Sequence, residues 1–62
     1  MPRAEANGLL KIASEQVPSG IYAIERVGKG YIELMNEPMT KAQVKEKRRE
    51  YGKAGWKVYA NV

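Results

Sequence analysis

The chain has to fold without a covalent or metal crosslink, because its 62 residues include neither Cys nor His. A disulfide framework is therefore impossible, and a structural zinc site of the usual kind lacks its ligands. The same absence removes the thiol nucleophile and the imidazole base of many enzymes. A chain this short forms one domain and buries only about 60% of its extended-chain surface. We therefore expect a non-catalytic protein that holds no metal and no cofactor.

Targeting and membrane signals are weak along the whole sequence. No apolar run approaches the ~18 residues that a membrane-spanning helix needs, and the first seven residues lack the apolar core of a secretory signal. We expect residues 1–7 to form a flexible tail, residues 8–62 to form a single domain, and the protein to be cytoplasmic. Its size and composition are typical of small accessory proteins of bacteria or phages.

The positive charge is concentrated toward the C-terminus. Residues 1–40 hold four basic residues and five Glu, whereas residues 41–62 hold seven basic residues and two Glu. These two segments therefore contribute −1 and +5 to the net charge of +4. Such asymmetry is typical of proteins with an anionic partner, although a small domain also carries net charge for solubility alone.

The N-terminal part of the domain reads as a helix followed by a chain break. Residues 4–16 are rich in good helix formers, and the helical repeat places Leu9, Ile12, Ala13 and Gln16 on one face. A strand over residues 10–16 is the competing interpretation, but few residues there are β-branched. Pro18 and Gly20 then interrupt regular structure.

Two strands follow, over residues 21–27 and 31–35, and a three-residue loop joins them as a hairpin. With Val27 opposite Tyr31, Ile24 faces Leu34 on the buried side of the sheet. The same register places Glu25 opposite Glu33 on the other side. A two-residue loop would instead set Ile24 opposite Glu33 and mix the two faces, so we predict the three-residue loop.

The second helix has the clearest boundaries in the sequence. Thr40 and Gln43 have the spacing of a capping box, and Gly55 suits the left-handed residue that ends many helices. We place this helix at residues 41–54. The last seven residues alternate in the manner of a half-buried strand, with Lys57, Tyr59 and Asn61 on the more polar side.

These elements predict an α+β fold of order α-β-β-α-β. A right-handed crossover would bring the third strand beside the first, giving a three-stranded mixed sheet of order 2-1-3 with both helices on one face. Lys57 would then lie near Glu25. The predicted core consists of Leu9, Ile12, Ile24, Ile32, Leu34, Val44, Tyr51, Trp56 and Val58.

The second helix carries the strongest functional signal. Lys41, Lys45 and Arg49 follow each other at intervals of four residues, and Arg48 lies beside them, so the four form one stripe without an acidic residue within it. We call these four residues the basic stripe. With Lys29 of the hairpin loop they predict contacts with the backbone of DNA or RNA, with weak sequence preference. An ordinary solvated helix face is the alternative.

The open face of the predicted sheet suggests a second function. Tyr31, Met35, Lys57 and Tyr59 would share that face, and an exposed patch of this composition is typical of a protein interface. An adaptor, an inhibitor of a larger complex or a homodimer would use it.

Overall fold

The computed structural model describes residues 3–62, and the side chains of residues 5–62. Two helices and three strands follow in the predicted order. The elements are α1 (Arg3–Gln16), β1 (Gly20–Arg26), β2 (Tyr31–Pro38), α2 (Lys41–Lys53) and β3 (Trp56–Asn61). The predicted α+β class and the β1–β2 hairpin are confirmed.

The strand order is β2-β1-β3, as predicted, but the sheet is antiparallel throughout. The prediction of a mixed sheet is therefore wrong. β2 and β3 do run in the same direction, as a crossover through α2 requires. Because β1 lies between them and is antiparallel to both, no hydrogen-bonded pair in the sheet is parallel.

The two helices pack on opposite faces of the sheet, which corrects the prediction that they share one face. Ala23 packs in a cluster with Ala6 of α1, whereas the next residue, Ile24, packs with Val44 of α2. Consecutive strand residues point to opposite faces, so the sheet separates two small cores. α1 covers mainly β2 and β1, and α2 covers mainly β3.

α1 is rotated relative to the predicted orientation. Its buried residues are Ala6 and Ala13, while Leu9 is 37% exposed and Ile12 is 52% exposed. Both of those larger residues were predicted to be in the core, and that prediction is wrong. The face of the sheet beneath α1 carries Ala23 and Ile32, which pack with Ala6. Because Ala6 and Ala23 are small, α1 can approach the sheet closely.

The first turns of α1 belong to the packed structure. α1 begins at Arg3, and Ala6 is completely buried. The helix predicted over residues 4–16 is therefore observed, and it includes residues 3–7 of the segment that was also assigned to an N-terminal tail. Residues 1 and 2 lie outside the described residues.

The hairpin register differs from the predicted one beside the turn. Arg26, not Val27, lies opposite Tyr31, so four residues, 27–30, form the turn, and Ile24 lies opposite Glu33. A bulge between Ile21 and Ala23 shifts the register by one. Because of that shift, Ile21 and Ile24 reach the same cluster although they are three residues apart. A strictly alternating strand could not achieve this.

The observed register also removes the predicted Glu25–Glu33 pair. Glu25 lies opposite Ile32 on β2 and opposite Lys57 on β3. The predicted proximity of Lys57 to Glu25 is therefore observed. The hydroxyl of Tyr59 donates a hydrogen bond of 2.5 Å to the Glu25 carboxylate. Like charges facing each other across strands are unfavourable, and here the two glutamates point to opposite faces.

Both predicted signals at the ends of α2 are confirmed. The Gln43 N–H donates to Thr40 Oγ1 at 3.3 Å, and the Thr40 N–H donates to Gln43 Oε1 at 2.9 Å. Gly55 has a φ of +85° and ends the helix, with Ala54 as the C-cap. These caps fix the start and the end of the helix that carries the basic stripe.

Candidate nucleic-acid interface

The orientation of α2 is set by its apolar side. Val44 is 1% exposed, and Tyr51 is partly buried against the same cluster as Ile24 and Val58. Lys47 is half-buried on this side and pairs with Glu50 at 3.3 Å. The rest of the helix circumference is therefore left to solvent.

The basic stripe lies on one exposed flank of α2. All four of its residues, Lys41, Lys45, Arg48 and Arg49, are exposed. Within the described part of the chain, none of these four side chains forms a hydrogen bond or an ion pair. The predicted exposure is observed, and four unpaired cations lie within two and a half turns of one helix.

The start of α2 adds to this positive potential. The first turn contains no acidic residue and begins with Lys41. Peptide dipoles place partial positive charge at a helix N-terminus, where a cation is unfavourable and a carboxylate stabilises. Lys41 therefore adds charge where the helix itself would favour an acid.

A groove runs beside the stripe, between the first half of α2 and the residue that follows β3. Its volume is about 580 Å³. The side chains of three basic residues border it, and three apolar residues complete its lining: Lys41, Lys45 and Arg48, with Ala42, Val44 and Val62. Arg49 lies over a neighbouring hollow with Gln43 and Glu46. The groove is open to solvent, so the cations border a surface rather than an enclosed site.

Lys29 lies away from the start of the stripe. It is an exposed residue of the turn between β1 and β2. The neighbouring Val27 N–H donates to the Gly55 carbonyl at 3.0 Å, which joins this turn to the end of α2. The structure thus places Lys29 near the end of α2 and Lys41 at its beginning.

The residues predicted for a protein interface do not share one face. Tyr31 lies opposite Arg26, as does Trp56, and Met35 packs with the α2-side cluster. Lys57 and Tyr59 lie on the side of α1, where the Lys57 ammonium is 5.1 Å from the Tyr59 ring centroid. The reason is that Arg26, and not Val27 as predicted, lies opposite Tyr31. This difference of one residue places Tyr31 on the other face of the sheet.

Sequence reasoning missed the apolar residues around these sites. Ala42 and Val62 line the groove beside the stripe, and Leu9 and Ile12 line a second groove beside β2. The alternation of β3 already placed Val62 on the α2 side, so that contact could be found from the sequence. The exposure of Leu9 and Ile12 could not, since it depends on the rotation of α1.

Within residues 3–62, no group of three or more acidic side chains could hold a metal ion. Nor does any helix of that range have the length and apolar character required to cross a bilayer.

Comparisons of the chain with protein-family models, with curated proteins and with solved structures found no match.

Proposed function

We propose that this protein binds the phosphate backbone of nucleic acid through the basic stripe of α2, with weak sequence preference. The observation that supports the proposal is the set of four exposed cations on one flank, unpaired within the described residues. An ordinary solvated helix face balances its charges through pairs three or four residues apart. Lys47 and Glu50 form such a pair on the other flank, but the stripe has none.

The spacing of the stripe suits a backbone. Four helical residues rise about 6 Å, while phosphates of one strand are about 3.4 Å apart along the axis of a duplex. The long side chains of Lys41, Lys45 and Arg49 can therefore reach separate phosphates of one strand, and Arg48 can add a fourth contact beside them. Contacts of this kind fix position without reading the bases, which is the basis for proposing weak sequence preference.

The unfavourable position of Lys41 also supports a binding role. A cation in the first turn costs a helix about 0.3–1 kcal/mol at low ionic strength. Residues that oppose local stability are most often found where function requires them. Phosphate at this end of the helix would gain from both the lysine side chain and the peptide dipole.

A charge-matched pair of variants tests the proposal. The stripe variant replaces Lys41, Lys45, Arg48 and Arg49 with Gln. The control variant replaces four other lysines with Gln, so that the net charge falls equally: Lys11, Lys47, Lys53 and Lys57. Binding is followed by fluorescence anisotropy of labelled single-stranded and double-stranded DNA and RNA at low salt.

The proposal expects the stripe variant to lose binding and the control variant to keep most of it, with both variants showing the circular dichroism of the parent protein. Equal losses in the two variants would mean that only net charge matters. Unchanged binding by the stripe variant would refute the proposed site.

A further inference from the structure

The second groove of the molecule lies at the free edge of β2. It has a volume of about 450 Å³ and is bordered by α1 and β2. Leu34 belongs to the core on the α1 side of the sheet and Met35 to the core on the α2 side, yet both line this groove. Consecutive residues from opposite faces meet only at a strand edge, so the groove follows the outer edge of β2.

The groove exposes apolar side chains that a small domain would be expected to bury. Leu9 and Ile12 of α1 line it while 37% and 52% exposed. The side of α1 that is buried carries Ala6 and Ala13 instead. The helix therefore directs Leu9 and Ile12 toward the groove, while Ala6 and the partly buried Leu10 pack against the sheet. Clustered exposed apolar residues mark interaction sites more often than isolated ones do.

The backbone of β2 is also open on this side. β2 is an edge strand, because β1 is its one neighbour in the sheet. Alternate residues of an edge strand direct their N–H and C=O groups outward, where another extended chain can pair with them. Residues 31–34 lie before the irregularity of β2 and keep a regular register with β1. They can pair with a segment of similar length.

The charge around the groove is acidic. β2 contains Glu33 and Glu37 and no basic residue. Glu5, on the same helical row as Leu9 and Ile12, is exposed on α1. This composition suits a basic partner. It disfavours pairing of β2 with the β2 of a second copy, because such pairing would bring two acidic strands together.

We propose that the β2 edge binds an extended peptide segment of a partner protein, which adds to the sheet as a fourth strand. Side chains of an added strand alternate between the two faces. On the α1 side, apolar side chains of the peptide insert between Ile12 and Leu34. On the α2 side, lysine or arginine side chains lie beside Glu33. The expected ligand is therefore a short segment that alternates apolar and basic residues.

The test uses three labelled peptides of eight residues. The first alternates valine with lysine, the second alternates valine with glutamate, and the third is the first with alternate peptide nitrogens methylated. Methylation keeps the charge and the side chains but removes the backbone donors that a fourth strand needs. Binding is measured by fluorescence anisotropy, and the paired residues are identified by amide hydrogen exchange.

Of the three peptides, we expect only the first to bind, and its binding should slow the hydrogen exchange of β2 amides. Ile12→Ser should weaken this binding about tenfold or more, as for a side chain central to an interface. Val27→Ser is the matched control, because Val27 is also exposed, at 64%, but lies in the hairpin turn. It should leave binding unchanged. Glu33→Lys should transfer the preference to the glutamate peptide.

Three results would overturn the inference. The methylated peptide could bind as tightly as the first, which would show charge attraction without strand pairing. Ile12→Ser and Val27→Ser could behave alike. Sedimentation could show a dimer that Ile12→Ser dissociates, so that a second copy occupies the groove. The stripe variant should bind the first peptide normally, which separates this site from the proposed nucleic-acid site.

Discussion

The guanidinium of Arg26 lies over the indole of Trp56, 5.3 Å from the ring centroid. Its Nη1 also donates a hydrogen bond of 2.8 Å to the carbonyl of Ala54, the C-cap of α2. The ring of Tyr31, at the start of β2, meets Trp56 of β3 edge-on, with centroids 6.4 Å apart. One arginine therefore joins the end of the hairpin to the end of α2.

This contact predicts a stabilising role for Arg26. A cation–π contact contributes about 0.5–1 kcal/mol at an exposed site, and a charged hydrogen bond about 1.5–3 kcal/mol. Because Arg26 is exposed, we expect Arg26→Ala to lower the free energy of unfolding by about 1–2 kcal/mol. Urea denaturation followed by the fluorescence of Trp56, the single tryptophan, measures it. Lys53→Ala, at an exposed position, is the control, and an equal effect there would contradict the role.

Substitution of Gly20 should lower stability much more than substitution of Arg26. Its φ is +145°, and a Cβ atom would lie 2.2 Å from the backbone oxygen of Glu37. Gly20→Ala therefore combines backbone strain with a clash against β2, and we expect a loss of about 3 kcal/mol or more. Thermal unfolding by circular dichroism measures it.

At Gly8, in contrast to Gly20, replacement by alanine should raise the stability of the protein. It lies within α1, and a Cβ there would meet nothing within 4 Å. Gly8→Ala should raise stability by about 0.5–1 kcal/mol, because alanine is the better helix former. A loss of stability in Gly8→Ala would show that α1 does not have the described packing.

Lys41 predicts a conflict between stability and binding. Lys41→Glu places an acid at the start of α2, so it should raise stability by about 0.3–1 kcal/mol. The same change should weaken nucleic-acid binding, because it removes one phosphate contact and adds repulsion. Lys53→Glu, in the last turn of α2, should lower stability instead. If Lys41→Glu lowered stability as well, the dipole argument would fail.

Lys29 predicts a dependence on the length of the ligand. α2 has 13 residues and is therefore about 20 Å long, which equals about six nucleotide steps. A strand that follows the stripe to the end of α2 would reach the hairpin turn. Lys29→Gln should therefore weaken binding of a 12-nucleotide strand and leave binding of a 4-nucleotide strand unchanged. Equal effects on both lengths would place Lys29 elsewhere in the interface.

Local signals in the sequence predicted the elements well. Thr40 with Gln43, and Gly55 after the helix, act through contacts within a few residues, so the sequence contains all the necessary information. The alternation of β3 is equally local, and Val58 is buried as predicted. The exposure of the basic stripe followed from the helical repeat once Val44 was taken as buried.

Contacts between elements were predicted less well. The rotation of α1 depends on how closely Ala6 can approach Ala23, and hydrophobicity alone favoured Leu9 and Ile12. The register beside Tyr31 depends on the length of the turn, where three residues were predicted and the structure has four, residues 27–30. That difference placed Tyr31 on the opposite face from Tyr59, and it dispersed the predicted protein interface.

The salt dependence of nucleic-acid binding tests the central claim most directly. Four phosphate contacts predict that log K falls linearly with log salt, with a slope of about −3 for single strands and about −3.6 for duplexes. The charge-matched control should retain most of this slope, while the stripe variant should show no binding at any of the salt concentrations. A slope that is the same in both variants, or an absence of binding by the parent protein at low salt, would contradict the account.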